Sequence, residues 1–296
     1  MRKIWLSLCL CLAAAVFATA QPDNRAKIDT VQLWPAGAPD AFEIPQAMKA
    51  FAARMGMDYS QSFMEVYPAE HPNGLCVIMC PGGAYVMQSQ TYEGRDLKDW
   101  FNARGITYCM LQYRLPYGHH SVPLSDAAQA VRVMRSMAKD LGITQIGIAG
   151  NSAGGHLAST LATHYPDAAS RPDFQILMYP VITMKEEITN MMSRNALLGN
   201  TPSQELVDLY SNERHVTADT PPAFIVLCSD DEVVPPVNSL LYYQSLIDNK
   251  VSAEMHIYPS GGHGWGWRDS MIYKGSWVSE LETWLQLIVE KNNPEK

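Results

Sequence analysis

Charge is what this sequence has least of. Charged residues make up 18% of its 296 positions, against roughly 25% in an average soluble domain. Basic residues are the scarcer sign, since 22 Lys and Arg face 30 Asp and Glu for a formal net charge of −8. No basic patch or stripe marks the chain as a nucleic-acid binder. Internal repeats and low-complexity tracts are missing too. Disorder is excluded by a 47% hydrophobic content that includes seven Trp and fourteen Tyr. Six cysteines are present, but no CxxC and no Cys/His cluster has zinc spacing. His119-His120 has no carboxylate or third histidine at ligand spacing and reads as a loop doublet. Neither a metal nor a cofactor is implied.

Long apolar runs are also lacking, apart from one at the start. Arg2 and Lys3 precede an apolar stretch from Ile4 to Phe17, and Ala18-Thr19-Ala20 matches an A-x-A cleavage site. This is the pattern of a secretory signal peptide over residues 1–20, shorter than the ~20 apolar residues of a spanning helix. The expectation is an exported protein, periplasmic or extracellular, with no membrane segment once the signal is removed. Loss of the two basic residues would move the net charge from −8 to −10. Of the remaining cysteines, Cys76, Cys80, Cys109 and Cys228 sit in apolar runs, where Cys behaves as a small buried hydrophobe. Cys76 and Cys80, four apart on one strand, would be about 13 Å apart and cannot bridge. Free buried thiols are the favoured reading, and sixteen methionines read as core filler.

What is present is a regular alternation of short β-type runs and longer helical patterns. Strands are predicted at 63–67, 75–79, 107–112, 145–149, 175–179, 224–228 and 254–258. Helices are predicted at 93–103, 125–141, 153–163, 236–249 and 276–289. The strand runs are apolar without strict alternation, as in a parallel sheet covered on both faces. Repeated β-then-α order predicts an α/β doubly wound sheet with right-handed crossovers. One domain over residues 21–296 accounts for the length, with an irregular insertion at 183–220 over the C-terminal edge of the sheet.

Gly150-Asn151-Ser152-Ala153-Gly154, between a predicted strand and a predicted helix, has the form of a nucleophile elbow. A serine needs a base to become a nucleophile, and the order Ser, then acid, then His directs the search downstream. His263 lies in the loop Ser260-Gly261-Gly262-His263-Gly264-Trp265-Gly266, after the last strand. His156 points into packing, His164 ends a helix, His256 lies in a strand, and His215 sits in the insertion. The acid comes from Ser229-Asp230-Asp231-Glu232, with Asp231 preferred for its spacing to Val234-Pro235 and Asp230 or Glu232 as substitutes. It would hold the histidine tautomer and stabilise its charged form. Oxyanion donors are expected from Cys80-Pro81-Gly82-Gly83-Ala84-Tyr85, after the 75–79 strand. Gly83 and Ala153 are the expected N–H donors, with Ala84 the nearest substitute.

With these residues in place, the chain resembles an alpha/beta-hydrolase of the carbohydrate-esterase type. The similar group contains acetylxylan esterases and a bifunctional acetyl/feruloyl esterase. It is carried by Leu33-Trp34-Pro35, Cys80-Pro81-Gly82-Gly83, Tyr113-Arg114-Leu115-Pro116, Ser152-Ala153-Gly154-Gly155-His156-Leu157-Ala158, Tyr210-Ser211-Asn212-Glu213, Thr220-Pro221-Pro222 and Gly261-Gly262-His263-Gly264. Ala84 stands where many relatives carry a third glycine, and Pro81 replaces a histidine. The resemblance implies a small acylated carbohydrate as substrate, most simply an O-acetyl ester on a plant-polysaccharide fragment such as acetylated xylan. Feruloyl or general carboxylester hydrolysis is the alternative, followed by peptidase or amidase chemistry and a non-catalytic binding protein. Tyr85 is a candidate for the acyl pocket. Trp265 and Trp267 offer faces for sugar stacking, against the reading that they pack the base loop, as core packing is the reading for Trp34. Arg114 and Asp126 are expected to form a supporting ion pair.

Overall fold

The apolar runs become a single sheet. In the computed structural model, which describes residues 29–54 and 58–291, the strands are β1 (Asp29–Gln32), β2 (Phe63–Tyr67), β3 (Leu75–Cys80), β4 (Thr107–Gln112), β5 (Gln145–Asn151), β6 (Phe174–Met178), β7 (Ala223–Cys228) and β8 (Ala253–Tyr258). The helices are α1 (Gln46–Arg54), α2 (Lys98–Asn102), α3 (Ser121–Met137), α4 (Ala153–His164), α5 (Met191–Leu198), α6 (Gln204–Leu209), α7 (Val237–Asp248) and α8 (Lys274–Lys291). The segment read as a signal peptide lies outside the described residues. Sheet order is β1-β2-β4-β3-β5-β6-β7-β8, antiparallel for β1–β2 and β2–β4 and parallel elsewhere. Every residue of β3, β4, β6 and β7 is buried, so both faces of the sheet are covered, as the unbroken apolar runs require.

All seven predicted strands are present, within two residues at each end. The edge strand β1 was not predicted, because Asp-Thr-Val-Gln has a single apolar residue. The helix expected at 93–103 is instead a 3-10 turn at Arg95–Leu97 followed by the short α2. Its start fails at Gly94, whose φ of −142° and ψ of −95° lie outside the helical region. Conversely α3 begins four residues earlier than expected, with Pro123 in its first turn, where a missing N–H costs nothing. The insertion contains α5 and α6, each N-capped by a side chain, Asn190 and Ser203.

The strand order places the site. From β3 the chain passes to β4 on one side, then crosses to β5 on the other and continues outward to β8. Loops leaving β3 and β5 therefore diverge, which opens a crevice at their C-terminal ends. Cys80 pairs with Gly150 in register, so the loop after β3 and the turn after β5 begin side by side.

The expected ion pair is present and buried. Asp126, fully enclosed on α3, accepts from the Arg114 backbone N–H at 2.8 Å and from its guanidinium at 2.7 Å, and Trp34 Nε1 donates to it at 2.7 Å. Together they bind the N-terminal approach to the end of β4. The four cysteines are buried with free thiols. Asp126→Ala would leave the Arg114 charge buried without its partner, and a loss of roughly 3–5 kcal/mol in urea denaturation is expected. An unchanged midpoint and slope would show that the pair carries no weight.

Candidate active site

Ser152 sits between β5 and α4 with φ 53° and ψ −120°, outside the regions an L-residue adopts freely. Its neighbours hold it there. The Ser152 N–H donates to the Met178 carbonyl at 3.0 Å, while the Ser152 carbonyl accepts from His156 and Val181 N–H groups at 3.1 and 3.0 Å. The flanking glycines are steric requirements. A Cβ on Gly150 would lie 2.1 Å from the Gly154 carbonyl oxygen, and one on Gly154 would lie 2.0 Å from that of Cys80. Helix α4 can therefore start directly against the ends of β3 and β5.

The structure brings Ser152, His263 and Asp231 into one hydrogen-bonded line. His263 Nδ1 lies 2.7 Å from Asp231 Oδ2, and Nε2 lies 2.8 Å from Ser152 Oγ. A carboxylate can only accept, so Nδ1 carries the proton and Nε2 is left to accept from the serine hydroxyl. The other Asp231 oxygen accepts from the backbone N–H groups of Val233 and Val234, both at 2.9 Å. Asp230, the substitute acid, is instead engaged by loop backbone. Its carboxylate accepts from Gly262 and Gly261 N–H groups at 2.8 and 3.2 Å, which pins the base loop. The Gly262 N–H, with that of Gly261, also holds the Asp230 carboxyl below its usual range.

Gly83 and Ala84 line a cavity of about 240 Å³ together with Ser152, His263, Val86, Met87, Tyr92, Asn190, Met192 and Val233. Ala153 is the first residue of α4, so its N–H has no acceptor within the helix. Three successive residues of the loop have positive φ, Gly83 at 131°, Ala84 at 54° and Tyr85 at 59°. Gly83 is doubly constrained, because a Cβ there would lie 2.3 Å from the Met87 carbonyl oxygen. Ala84 tolerates the left-handed conformation that a glycine would adopt without cost. The insertion contributes Asn190 and Met192 to the cavity, and Asn190 donates to the Val233 carbonyl at 3.0 Å.

Three candidate substrate contacts, Tyr85, Trp265 and Trp267, do not line this cavity. At Tyr85 the reversed backbone sends the ring into the core, where the hydroxyl meets His156 Nδ1 at 2.9 Å. Trp265 is buried against Tyr179 and Trp277, at ring distances of 4.6 and 5.3 Å. Trp267 is half-buried between Trp100 and Trp277, with Lys274 over its ring at 4.4 Å. Both tryptophans pack the base loop onto α8, and neither lines the cavity around Ser152. His119 and His120 also have local partners, a stacked Phe42 ring and the Tyr210 hydroxyl.

The sequence reading missed Tyr92, Glu93, Tyr179 and Asn190. Each is a lone polar residue in a loop or at a strand end, with no motif to mark it. The Tyr92 hydroxyl bonds to Ser89 at 3.1 Å, and the Arg268 guanidinium lies 3.6 Å over its ring at the edge of the cavity. Tyr179 stacks edge-on against His263 at 4.8 Å. Glu93 is almost fully buried beside them, and desolvation raises its pKa.

Two consequences can be measured. Ala84→Gly should raise stability by up to about 1 kcal/mol, since it relieves an L-residue at positive φ; a lower melting temperature would contradict the strain. His156 is fully buried between Tyr85 and the Tyr210 carbonyl, and burial pushes its pKa down to about 4. An unfolded histidine titrates near ~6.5, so below that pH the unfolded chain binds the extra proton and the folded chain does not. Stability should therefore be complete above about 6.5 and fall toward pH 4, by up to about 1.4 kcal/mol per pH unit from this group. Urea titrations at pH 7 and 5 test this, and the decline should be shallower in His156→Gln.

Comparison with known proteins identifies the family to which this fold belongs. The chain is 36% identical over 249 residues to an acetylxylan esterase of Xylanibacter ruminicola, covering 82% of this chain and 52% of that protein. It is 35% identical over 205 residues to endo-1,4-beta-xylanase B of Butyrivibrio fibrisolvens, covering 64% of this chain and 32% of that protein. The chain thus spans about half the length of the first of these relatives and about a third of the second. The solved structure of an acetyl ester-xyloside bifunctional hydrolase from Caldicellulosiruptor lactoaceticus superposes with a TM-score of 0.77 at 34% identity, covering 88% of this chain and 97% of that one. The family described as the alpha/beta hydrolase fold matches residues 77–266, a span from β3 to the base loop that includes Gly83, Ser152, Asp231 and His263. A match over well more than half of the chain, on the sheet order and crevice described above, makes this protein a member of the alpha/beta hydrolase fold family.

Proposed function

We propose that this chain is a serine ester hydrolase that removes small acyl groups, acetyl foremost, from carbohydrate such as acetylated xylan fragments. The observation that carries the reading is the line from Asp231 through His263 to Ser152 Oγ, which opens on a small cavity edged by Gly83 and Ala84. Similarity to an acetylxylan esterase supports acetyl as the acyl group and xylan as the carrier.

His263 Nε2 takes the Ser152 proton as Oγ attacks the ester carbonyl, and Asp231 stabilises the imidazolium that results. The carbonyl oxygen, now negative, is held by the backbone N–H groups of Ala153 and Gly83, with Ala84 adjacent. The positive end of the α4 dipole points at the same place. The ester C–O bond then breaks, His263 gives the proton to the departing sugar oxygen, and Ser152 is left acylated. Water, deprotonated by the same nitrogen, releases the acid and restores the serine. Val86 and Met87 give the cavity an apolar wall suited to a short acyl chain, while the polar rim at Tyr92 and Asn190 faces the sugar.

Ser152→Ala should lower acetate release from acetylated xylo-oligosaccharides, and hydrolysis of an aryl acetate, by about 10³-fold or more. Retention of wild-type rates on both substrates would overturn the reading. Release of ferulate but no acetate from mixed esters would overturn the acyl group.

A further inference from the structure

Three loops must be held together for the proposed chemistry: the one after β3 with Gly83, the turn after β5 with Ser152, and the one after β8 with His263. All three are tied to one buried carboxylate, the first directly and the other two through the Tyr179 hydroxyl. Glu93 Oε2 accepts from the Gly82 N–H at 3.0 Å, and Glu93 Oε1 accepts from the Tyr179 hydroxyl at 2.8 Å. Tyr179 has then given its only proton, and its oxygen accepts twice. One bond comes from the Gly266 N–H of the base loop at 2.8 Å, the other from Asn151 Nδ2, next to Ser152, at 2.8 Å. Packing repeats the pattern. A Cβ on Gly82 would lie 2.6 Å from Glu93 Oε2 and 3.1 Å from Ser152 Cβ, and one on Gly266 would lie 3.0 Å from Glu93 Cγ.

We propose that Glu93 is a positioning residue, which locks the oxyanion loop, the nucleophile turn and the base loop into one frame and acts through His263 by its charge. The role rests on the ester-hydrolase reading of the site. A structural acid would serve as well in neutral form, but this environment asks for two acceptors. Gly82 and Tyr179 each donate to a different oxygen, so an amide or a protonated carboxyl would set a donor against a donor. Burial opposes the charge, and the frame retains it. The titratable groups facing it are Tyr179 and His263, with the Ser89 hydroxyl as a further donor. An uncompensated negative charge near His263 favours the imidazolium formed when Ser152 gives up its proton.

The test is Glu93→Gln, measured beside wild type and Ser152→Ala. In Glu93→Gln, kcat should fall roughly 10- to 100-fold, the scale for small misplacements of reacting groups, with KM within about twofold. The acidic limb of kcat/KM should move to lower pH, because the carboxylate that favours the charged ring is gone; a residue that only fills space would leave the limb in place. Glu93→Asp should recover part of kcat. If Glu93→Gln does not fold, Tyr179→Phe cuts the frame at its other end and should lower kcat. Wild-type kcat and an unmoved limb in a folded Glu93→Gln, or wild-type kcat in Tyr179→Phe, would overturn the role of Glu93. An inert Ser152→Ala beside a fully active Glu93→Gln removes only that role, whereas an active Ser152→Ala removes the esterase reading with it.

Discussion

The site depends on the close approach of α4 to the ends of β3 and β5. With Gly154 set against the Cys80 carbonyl, no side chain fits between the helix and the sheet, and the chain has to reverse within Ser152. That reversal costs backbone strain, estimated at about 1–3 kcal/mol for such a residue. It persists because the surrounding elements over-determine it. Asn151 still pairs with Met178 in β6, and the first backbone bonds of α4 begin at the serine carbonyl. A serine in this position points its hydroxyl away from both elements, toward the crevice opened by the strand order. The strain is thus tied to exposure of one oxygen in an otherwise buried region.

Buried polar groups around the site follow the same logic. A sheet whose strands are enclosed on both faces gives polar side chains few partners, and an unpaired buried group is expensive. Asp231, Tyr179, His156 and Asp126 each meet this by joining loop backbone to a neighbouring element. Loops that would otherwise be the mobile part of an α/β fold are in this way fastened from beneath. The tryptophans of the base loop do the same by apolar means, with Trp265 and Trp267 both packed against Trp277 of α8.

Much of this was legible in the sequence, and the reasons are specific. The strands could be read because enclosure on both faces leaves long apolar runs, and β1 could not because an edge strand of four residues needs none. Ser152, Asp231 and His263 could be picked out because glycine placement and chain order are local properties of the sequence. The direction in which a side chain leaves the backbone is not local. Tyr85 follows Ala84 at the cavity, but two successive left-handed residues turn it into the core. Trp265 and Trp267 stand beside the histidine, yet face a helix whose position the loop sequence does not encode. Glu93 was hidden for a related reason. Its neighbourhood reads as an ordinary helix start, and only the tertiary approach of Gly82 and Tyr179 gives it partners.

The division between legible and hidden residues follows a division of labour in the fold. Motif residues are constrained by backbone geometry, so their types and spacings are dictated wherever this turn is built. The residues around them are constrained by what reaches them across the sheet, and those partners come from distant positions, 86 residues apart for Glu93 and Tyr179. The cavity wall is freer still. Met192 and Val233 come from the insertion and the acid loop, are well exposed, and have no strand register to satisfy. Changes in that wall can alter the shape offered to a substrate without touching the strained turn, because no hydrogen bond of the Ser152–His263–Asp231 line runs through their side chains. The constraint that exposes the serine therefore leaves the shape of the cavity wall to the least regular part of the chain.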